Sequence, residues 1–223
     1  MCGRYSITVP TEALIERFEA VPSPQVPRSE PRYNAAPSQN LPVLLNNGTR
    51  QIEYLRWGLI PHWSKDTSTA YKMINARAET LTSKPSYREP LRKRRCLVLA
   101  DGFYEWQKTG KTKTPMRMTL KSGEPFAFAG LWENWHDPES DLVVRTFTII
   151  TGKPNEVVAP IHDRMPIILL PKNEKIWLDN DAGEEAWENI LQPYPADLMM
   201  AYPVSARVNA TTNDDPSLIE RAS

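Results

Sequence analysis

Proline constrains this chain more than any other residue. There are 21 prolines against 9 glycines in 223 residues. A proline inside a helix removes a backbone hydrogen bond and clashes with the preceding turn, so a chain punctuated this densely does not build a helical bundle. It builds short strands between stiffened loops. The apolar runs agree: residues 41–45, 51–57, 96–100, 115–120, 126–131, 143–151, 165–170 and 199–204 read as strands. Several are almost wholly apolar, which suits the central strands of a closed or doubly covered sheet. Residues 108–111, LysThrGlyLys, read as a hairpin turn.

Helices are few. Residues 11–19 form a short one, with Thr11 as its N-cap and Leu14, Ile15 and Phe18 on one face. Residues 173–191 form a helical region with Trp177, Trp187, Ile190 and Leu191 as core contacts. Between residues 21 and 37 lie five prolines, which predicts a long loop of little regular structure, functional or wrapped on the surface. No internal repeat appears. The expectation is α+β: residues 1–223 as a single domain, a curved, barrel-like, mostly antiparallel β-sheet with peripheral helices.

Composition removes several classes. At 40% hydrophobic and 24% charged residues, the chain is ordinary globular material rather than disordered. No apolar run approaches the ~18–20 residues of a membrane span. The first residues lack a charged-then-apolar signal pattern, so a soluble, cytoplasmic protein is expected, with a monomer as the default. The formal net charge is zero, from 27 basic and 27 acidic residues. Residues 84–95 nevertheless hold six basic residues and one acidic, while residues 173–192 hold six acidic residues and one Lys. Each stretch reads as solvated surface, and the basic one equally as a phosphate-backbone footprint beside Tyr87. Two cysteines, Cys2 and Cys96, make no disulfide scaffold. Cys96 opens an apolar run and reads as a buried small hydrophobe.

Cys2 has a second reading. Removal of Met1 would leave a free 1,2-aminothiol, whose α-amino group has a reference pKa near ~7.7–8 and is partly neutral at pH 7. A neutral amine attacks an aldehyde to give a Schiff base, and the adjacent thiol closes a thiazolidine. Arg4 would sit beside that amine. His62, His136 and His162 are the only histidines and show no ligand spacing with the cysteines, so no metal or cofactor is expected. His162, in IHDRMP, is either a site edge or a structural histidine. Glu105, in DGFYEW, is either desolvated between Tyr104 and Trp106, with a raised pKa suited to acid–base work, or turned to water by strand alternation. Asn75 and Arg77 could hold a sugar or phosphate oxygen, or sit in a plain turn. No glycine-rich phosphate loop, G-x-S-x-G elbow or H-E-x-x-H is present.

In order, the chain carries MCGRY, RYNAAP (32–37), WGLIPHW (57–63), NARAET (75–80), DGFYEW (101–106), IHDRMP from His162 backwards by one residue, and VNATTNDDPSLIE (208–220). Taken together these motifs resemble the SOS response-associated peptidase (SRAP) family along nearly the whole chain. The resemblance implies binding of single-stranded DNA at an abasic site and a thiazolidine DNA–protein crosslink through Cys2. It implies that Asn75 positions the opened sugar, that Glu105 is the acid–base carboxylate, and that His162 assists imine chemistry and reversal. Arg4, Asn34, Pro37 and Arg77 match positions lining the DNA cleft. Trp63 matches one stacking aromatic, with Ser64 where some members have a second, and Lys84 is the nearest candidate for a basic residue beyond NARAET. Two other readings share these residues: a cysteine peptidase of Cys2 and His162, limited to removal of Met1, and a non-catalytic reader of single-stranded DNA.

Overall fold

The structure is a computed structural model and describes residues 2–21 and 30–222. In chain order it forms β1 (Tyr5–Ile7), α1 (Thr11–Arg17), β2 (Arg32–Ala35), β3 (Asn40–Leu45), β4 (Ile52–Trp57) and β5 (Asn75–Arg77). Then come α2 (Pro85–Lys93), β6 (Arg95–Ala100), β7 (Gly102–Thr109), β8 (Thr112–Leu120), β9 (Phe126–His136) and β10 (Val143–Gly152). The last elements are β11 (Met165–Pro166), α3 (Pro171–Leu178), α4 (Glu184–Ile190) and β12 (Met199–Pro203).

The near-continuous apolar runs close into a barrel. β10, β4, β3, β6 and β9 pair in that order, and β9 pairs back onto β10. All pairings in the ring are antiparallel except β4 with β10, where Thr146 opposes Arg56. Closure leaves no free edge along the ring. The second sheet, β12-β8-β7-β1-β2, is antiparallel throughout. Tyr5 joins the two: its ring lies 5.1 Å from Trp57 and 5.8 Å from Phe128 of the barrel. Trp57 in turn stacks on Phe147 at 6.2 Å. One apolar core runs through both sheets, and each fully buried Phe or Leu in it contributes roughly 1.5–3 kcal/mol.

Several expectations need correction. The 21–37 segment is not loop throughout: Arg32–Ala35 is strand β2, paired with β1 through Tyr5 and Ala35, while residues 22–29 lie outside the described residues. RYNA has no apolar run to announce it. It is held by the far end of the chain, where Asp214 Oδ1 accepts the N–H groups of Tyr33 (2.6 Å) and Asn34 (3.0 Å). The 165–170 run is strand only at Met165–Pro166, paired with β10, with one further bond from the Ile167 N–H to the Ile150 carbonyl at 2.9 Å. The chain then crosses to β9, with Leu169 N–H donating to the Ala127 carbonyl at 2.9 Å. The 173–191 region is two helices, α3 and α4. The first helix is capped by Pro10, with Thr11 already inside it.

The basic 84–95 stretch is divided. Lys84, Arg88, Arg92 and Lys93 are exposed, but Arg94 pairs with the buried Glu133 at 2.9 Å. Arg95 is fully buried. It donates to the carbonyls of Trp177 (2.7 Å), Leu91 (2.8 Å), Arg92 (2.9 Å) and Asp179, and lies 4.4 Å over the Trp187 ring. This cation ties α2, β6, α3 and α4 together and is not available to a phosphate. Among the described residues, no helix is long and apolar enough to cross a membrane.

Candidate active site

Asn75 is delivered by a detour. β4 leaves β10 after Trp57, and Gly58 turns the chain outward at φ +120°, where a Cβ would meet the Ala70 carbonyl oxygen at 2.8 Å. Only glycine adopts that conformation freely. The detour closes where Leu59 N–H donates to the Met73 carbonyl (3.1 Å) and Trp57 Nε1–H to the Ile74 carbonyl (2.9 Å). β5 then takes the place β4 vacated, parallel to β10, with Asn75 opposite Ile149. From α2, the Tyr87 hydroxyl donates to the Asn75 carbonyl at 3.3 Å.

Asn75 reaches the start of the chain. Its Nδ2 donates to the Cys2 carbonyl at 2.8 Å, and its Oδ1 is buried with no hydrogen-bond partner among the described residues. Cys2 is fully buried and its thiol lies 3.7 Å from the Arg4 carbonyl oxygen. Burial, reinforced by the charge of Glu105, pushes the thiol pKa far above its ordinary value, so the thiol is protonated at neutral pH.

Glu105 comes from β7, the strand paired with β1 through Tyr5 and Phe103. Alternation does put Phe103 and Glu105 on one face, but that face points inward: Phe103 is fully buried and Glu105 is 3% exposed. Burial raises the Glu105 pKa, and the nearby His162 opposes the rise. His162 Nε2 lies 4.0 Å from Glu105 Oε2. The four residues named from sequence thus converge from four places: ahead of β1, on β5, on β7 and on the connection between β10 and β11. A cavity of about 350 Å³ between Leu81, Leu91, Trp187 and Leu191 is lined by none of them. Among the described residues, no cluster of three or more His, Cys, Asp or Glu could hold a metal ion.

The residues expected along a DNA cleft divide into two groups. Arg77, beside Asn75, and Lys84, at the N-terminus of α2, are exposed. Trp63, on the detour, is 50% exposed and packs edge-on against His62 at 4.7 Å. Pro37 is half-buried. Arg4 and Asn34 face the protein instead. Arg4 donates to Asn34 Oδ1 (2.8 Å) and to the carbonyls of Val208 (2.8 Å) and Asn209 (3.2 Å). Asn34, fully buried, donates to the carbonyls of Val208 (3.2 Å), Ala210 (3.0 Å) and Asn213 (2.9 Å). Asn34 therefore does not line an open surface. It fastens the late VNATTND segment to β1 and β2.

Three contributors have contacts here that the sequence pattern does not indicate: Tyr87, Glu79 and Arg164. Glu79 and Arg164 sit inside the NARAET and IHDRMP motifs, but their pairing, 2.7 and 2.9 Å between the two guanidinium nitrogens and the two carboxylate oxygens, spans 85 residues of chain.

The family model described as SOS response associated peptidase (SRAP) matches residues 1–211. The chain belongs to the SRAP family. It is 50% identical to the abasic site processing protein YoqW of Bacillus subtilis, over 99% of both chains. It is 32% identical to the abasic site processing protein HMCES of Gallus gallus, covering 86% of this chain and 66% of that one. Among solved structures, a protein from Bacteroides thetaiotaomicron superposes with a TM-score of 0.91 at 26% identity, covering 100% of each chain. The SRAP assignment and the barrel with its second sheet agree.

Proposed function

We propose that this SRAP protein processes abasic sites in DNA, capturing the opened sugar in single-stranded DNA as a covalent adduct of Cys2. The relatives named above are abasic site processing proteins. The observation that carries the chemistry is the cluster itself: Asn75 holding the Cys2 carbonyl at 2.8 Å, and a buried, pKa-raised Glu105 facing His162 at 4.0 Å.

An abasic site is an aldehyde in equilibrium with its closed ring. With Met1 removed, the Cys2 amine adds to the C1′ aldehyde carbon and gives a carbinolamine. Glu105, whose protonated form burial favours, donates a proton to the departing hydroxyl, which leaves as water and yields the iminium. The Cys2 thiol then adds to the same carbon. Its proton passes to the Glu105 carboxylate, and the nitrogen ends as the neutral secondary amine of a thiazolidine. One C–N and one C–S bond form and one water is lost. A persistent iminium would promote strand cleavage by β-elimination, and ring closure removes it. A protonated thiol favours this order, since the amine attacks first and the sulfur only when a base is at hand. In single-stranded DNA no base has to be unstacked to expose the sugar, and the exposed Arg77 and Lys84 give backbone contacts of modest salt dependence.

Met1-processed protein incubated with single-stranded abasic DNA is expected to give a shifted, heat-stable band on a denaturing gel, lost in Cys2→Ala. DNA binding without that band overturns the reading. A second activity would use the same residues: Cys2, Glu105 and His162 suit self-removal of Met1, with the Cys2 carbonyl held by Asn75 at 2.8 Å. In cells lacking methionine aminopeptidase, Glu105→Gln and His162→Ala are then expected to retain Met1 by intact mass.

A further inference from the structure

Among the four candidate catalytic residues, Asn75 and Glu105 lie within strands, whereas His162 lies in a connection. It sits in the connection over residues 153–164, and its usefulness depends on which ring nitrogen faces Glu105. Arg164 connects this segment to the strand of Asn75. Its Nη1 and Nη2 donate to Glu79 Oε1 (2.7 Å) and Oε2 (2.9 Å), and Nη2 also donates to the Thr151 carbonyl (2.5 Å). Glu79 lies in the 3₁₀ turn Ala78–Thr80 directly after β5, and Thr151 pairs with Arg77 of β5. The backbone N–H of the same Arg164 donates to His162 Nδ1 at 3.0 Å.

A ring nitrogen that accepts an N–H carries no proton, so the neutral ring holds its hydrogen on Nε2. That is the nitrogen facing Glu105 Oε2 at 4.0 Å. Asp163 Oδ1, 2.9 Å from Nδ1, favours the opposite tautomer, but its side chain is 88% exposed and water-solvated. The backbone donor is fixed by the fork of Arg164, whose side chain is only 15% exposed.

We infer that Glu79 and Arg164 are positioning residues: their ion pair locks the 153–164 connection onto the β5 turn so that His162 presents Nε2–H to Glu105. The consequence for catalysis rests on the crosslinking reading above, whereas the ring tautomer does not. A guanidinium fork on a carboxylate fixes orientation as well as distance, which a lysine cannot do.

Two readouts test this. The chain has three histidines, so ¹⁵N spectra of histidine-labelled protein, with His162→Asn to assign the signal, report the tautomer directly. Wild type is expected to show His162 as the Nε2–H form, and Glu79→Gln a shift toward mixed tautomers. Identical tautomers in both overturn the inference. In single-turnover crosslinking at saturating abasic DNA, Glu79→Gln is expected to slow the reaction about tenfold while affinity for intact single strands changes less than about twofold. The double swap Glu79→Arg with Arg164→Glu is expected to restore most of the rate, and Arg164→Lys, which keeps the charge without the fork, to fall between. An unchanged rate with tighter DNA binding in Glu79→Gln also overturns it, and would instead mark Arg164 as a phosphate contact held back by Glu79. If wild type forms no crosslink, the crosslinking reading fails and the tautomer spectra still decide the clamp.

Discussion

Asp101 and Glu105 lie four residues apart around the start of β7, and both are nearly out of water, 7% and 3% exposed. Asp101 is surrounded by donors. Its Oδ1 accepts from the Ser6 hydroxyl (2.6 Å) and Arg117 Nη2 (3.0 Å), and its Oδ2 from the Thr8 N–H (2.5 Å) and hydroxyl (2.7 Å). Glu105 has its Oε2 4.0 Å from His162 Nε2, and burial is the largest influence on it, holding its pKa above the ordinary carboxylate value. The difference separates structure from chemistry. A buried carboxylate met by fixed donors holds its neighbours in place. A buried carboxyl whose charged form is penalised is moved toward the pH range in which an acid–base step works.

The largest effect expected from this comparison is kinetic. Glu105→Gln should lower the single-turnover crosslinking rate about 10²–10⁴-fold, measured at saturating abasic DNA. A rate within threefold of wild type would remove Glu105 from the chemistry. Next comes Asp101→Asn, which leaves the Arg117 guanidinium buried without its counter-charge. Urea unfolding should show a loss of about 3–5 kcal/mol, and a loss below about 1 kcal/mol would mean that the Asp101 cage is not structural. Asn34→Ala should cost about 1–3 kcal/mol by freeing three carbonyls of the late segment. Hydrogen exchange should rise at residues 206–213, and an effect on DNA affinity without that rise would return Asn34 to the cleft.

The smallest effect is in stability against pH. A folded carboxyl pKa raised above its unfolded value means that the folded state resists ionisation. Stability therefore falls as pH rises from the unfolded pKa through the folded one. Glu105→Gln, which cannot ionise, should melt above wild type at pH 7–8, with the difference vanishing near pH 4. A lower melting temperature for Glu105→Gln at pH 7 would place Glu105 in the same structural class as Asp101.

Much of this was legible in sequence, for reasons that particular residues make plain. The strands of the barrel announce themselves because both faces of a closed sheet are covered, leaving runs such as RCLVLA with no polar position. β2 does not, because RYNA owes its place to Asp214 far along the chain. Arg95 read as surface charge because its cage is made of backbone carbonyls, which carry no sequence signature. Cys2, Asn75, Glu105 and His162 were nameable through the ordered motifs. The Glu79–Arg164 tie was not, since each member is an ordinary charged residue until the fold brings them together.

By itself the sequence determined the material: prolines that forbid long helices, apolar runs that must pair, and one residue type, a cysteine after Met1, able to offer an amine and a thiol to the same aldehyde. It also determined that Phe103 and Glu105 share a face, since side chains on a strand alternate with a period of two. Which way that face points was a tertiary decision. It turns inward because β1 pairs alongside β7 and the two sheets close over one core, and that closure makes Glu105 a desolvated acid instead of a solvated surface carboxylate.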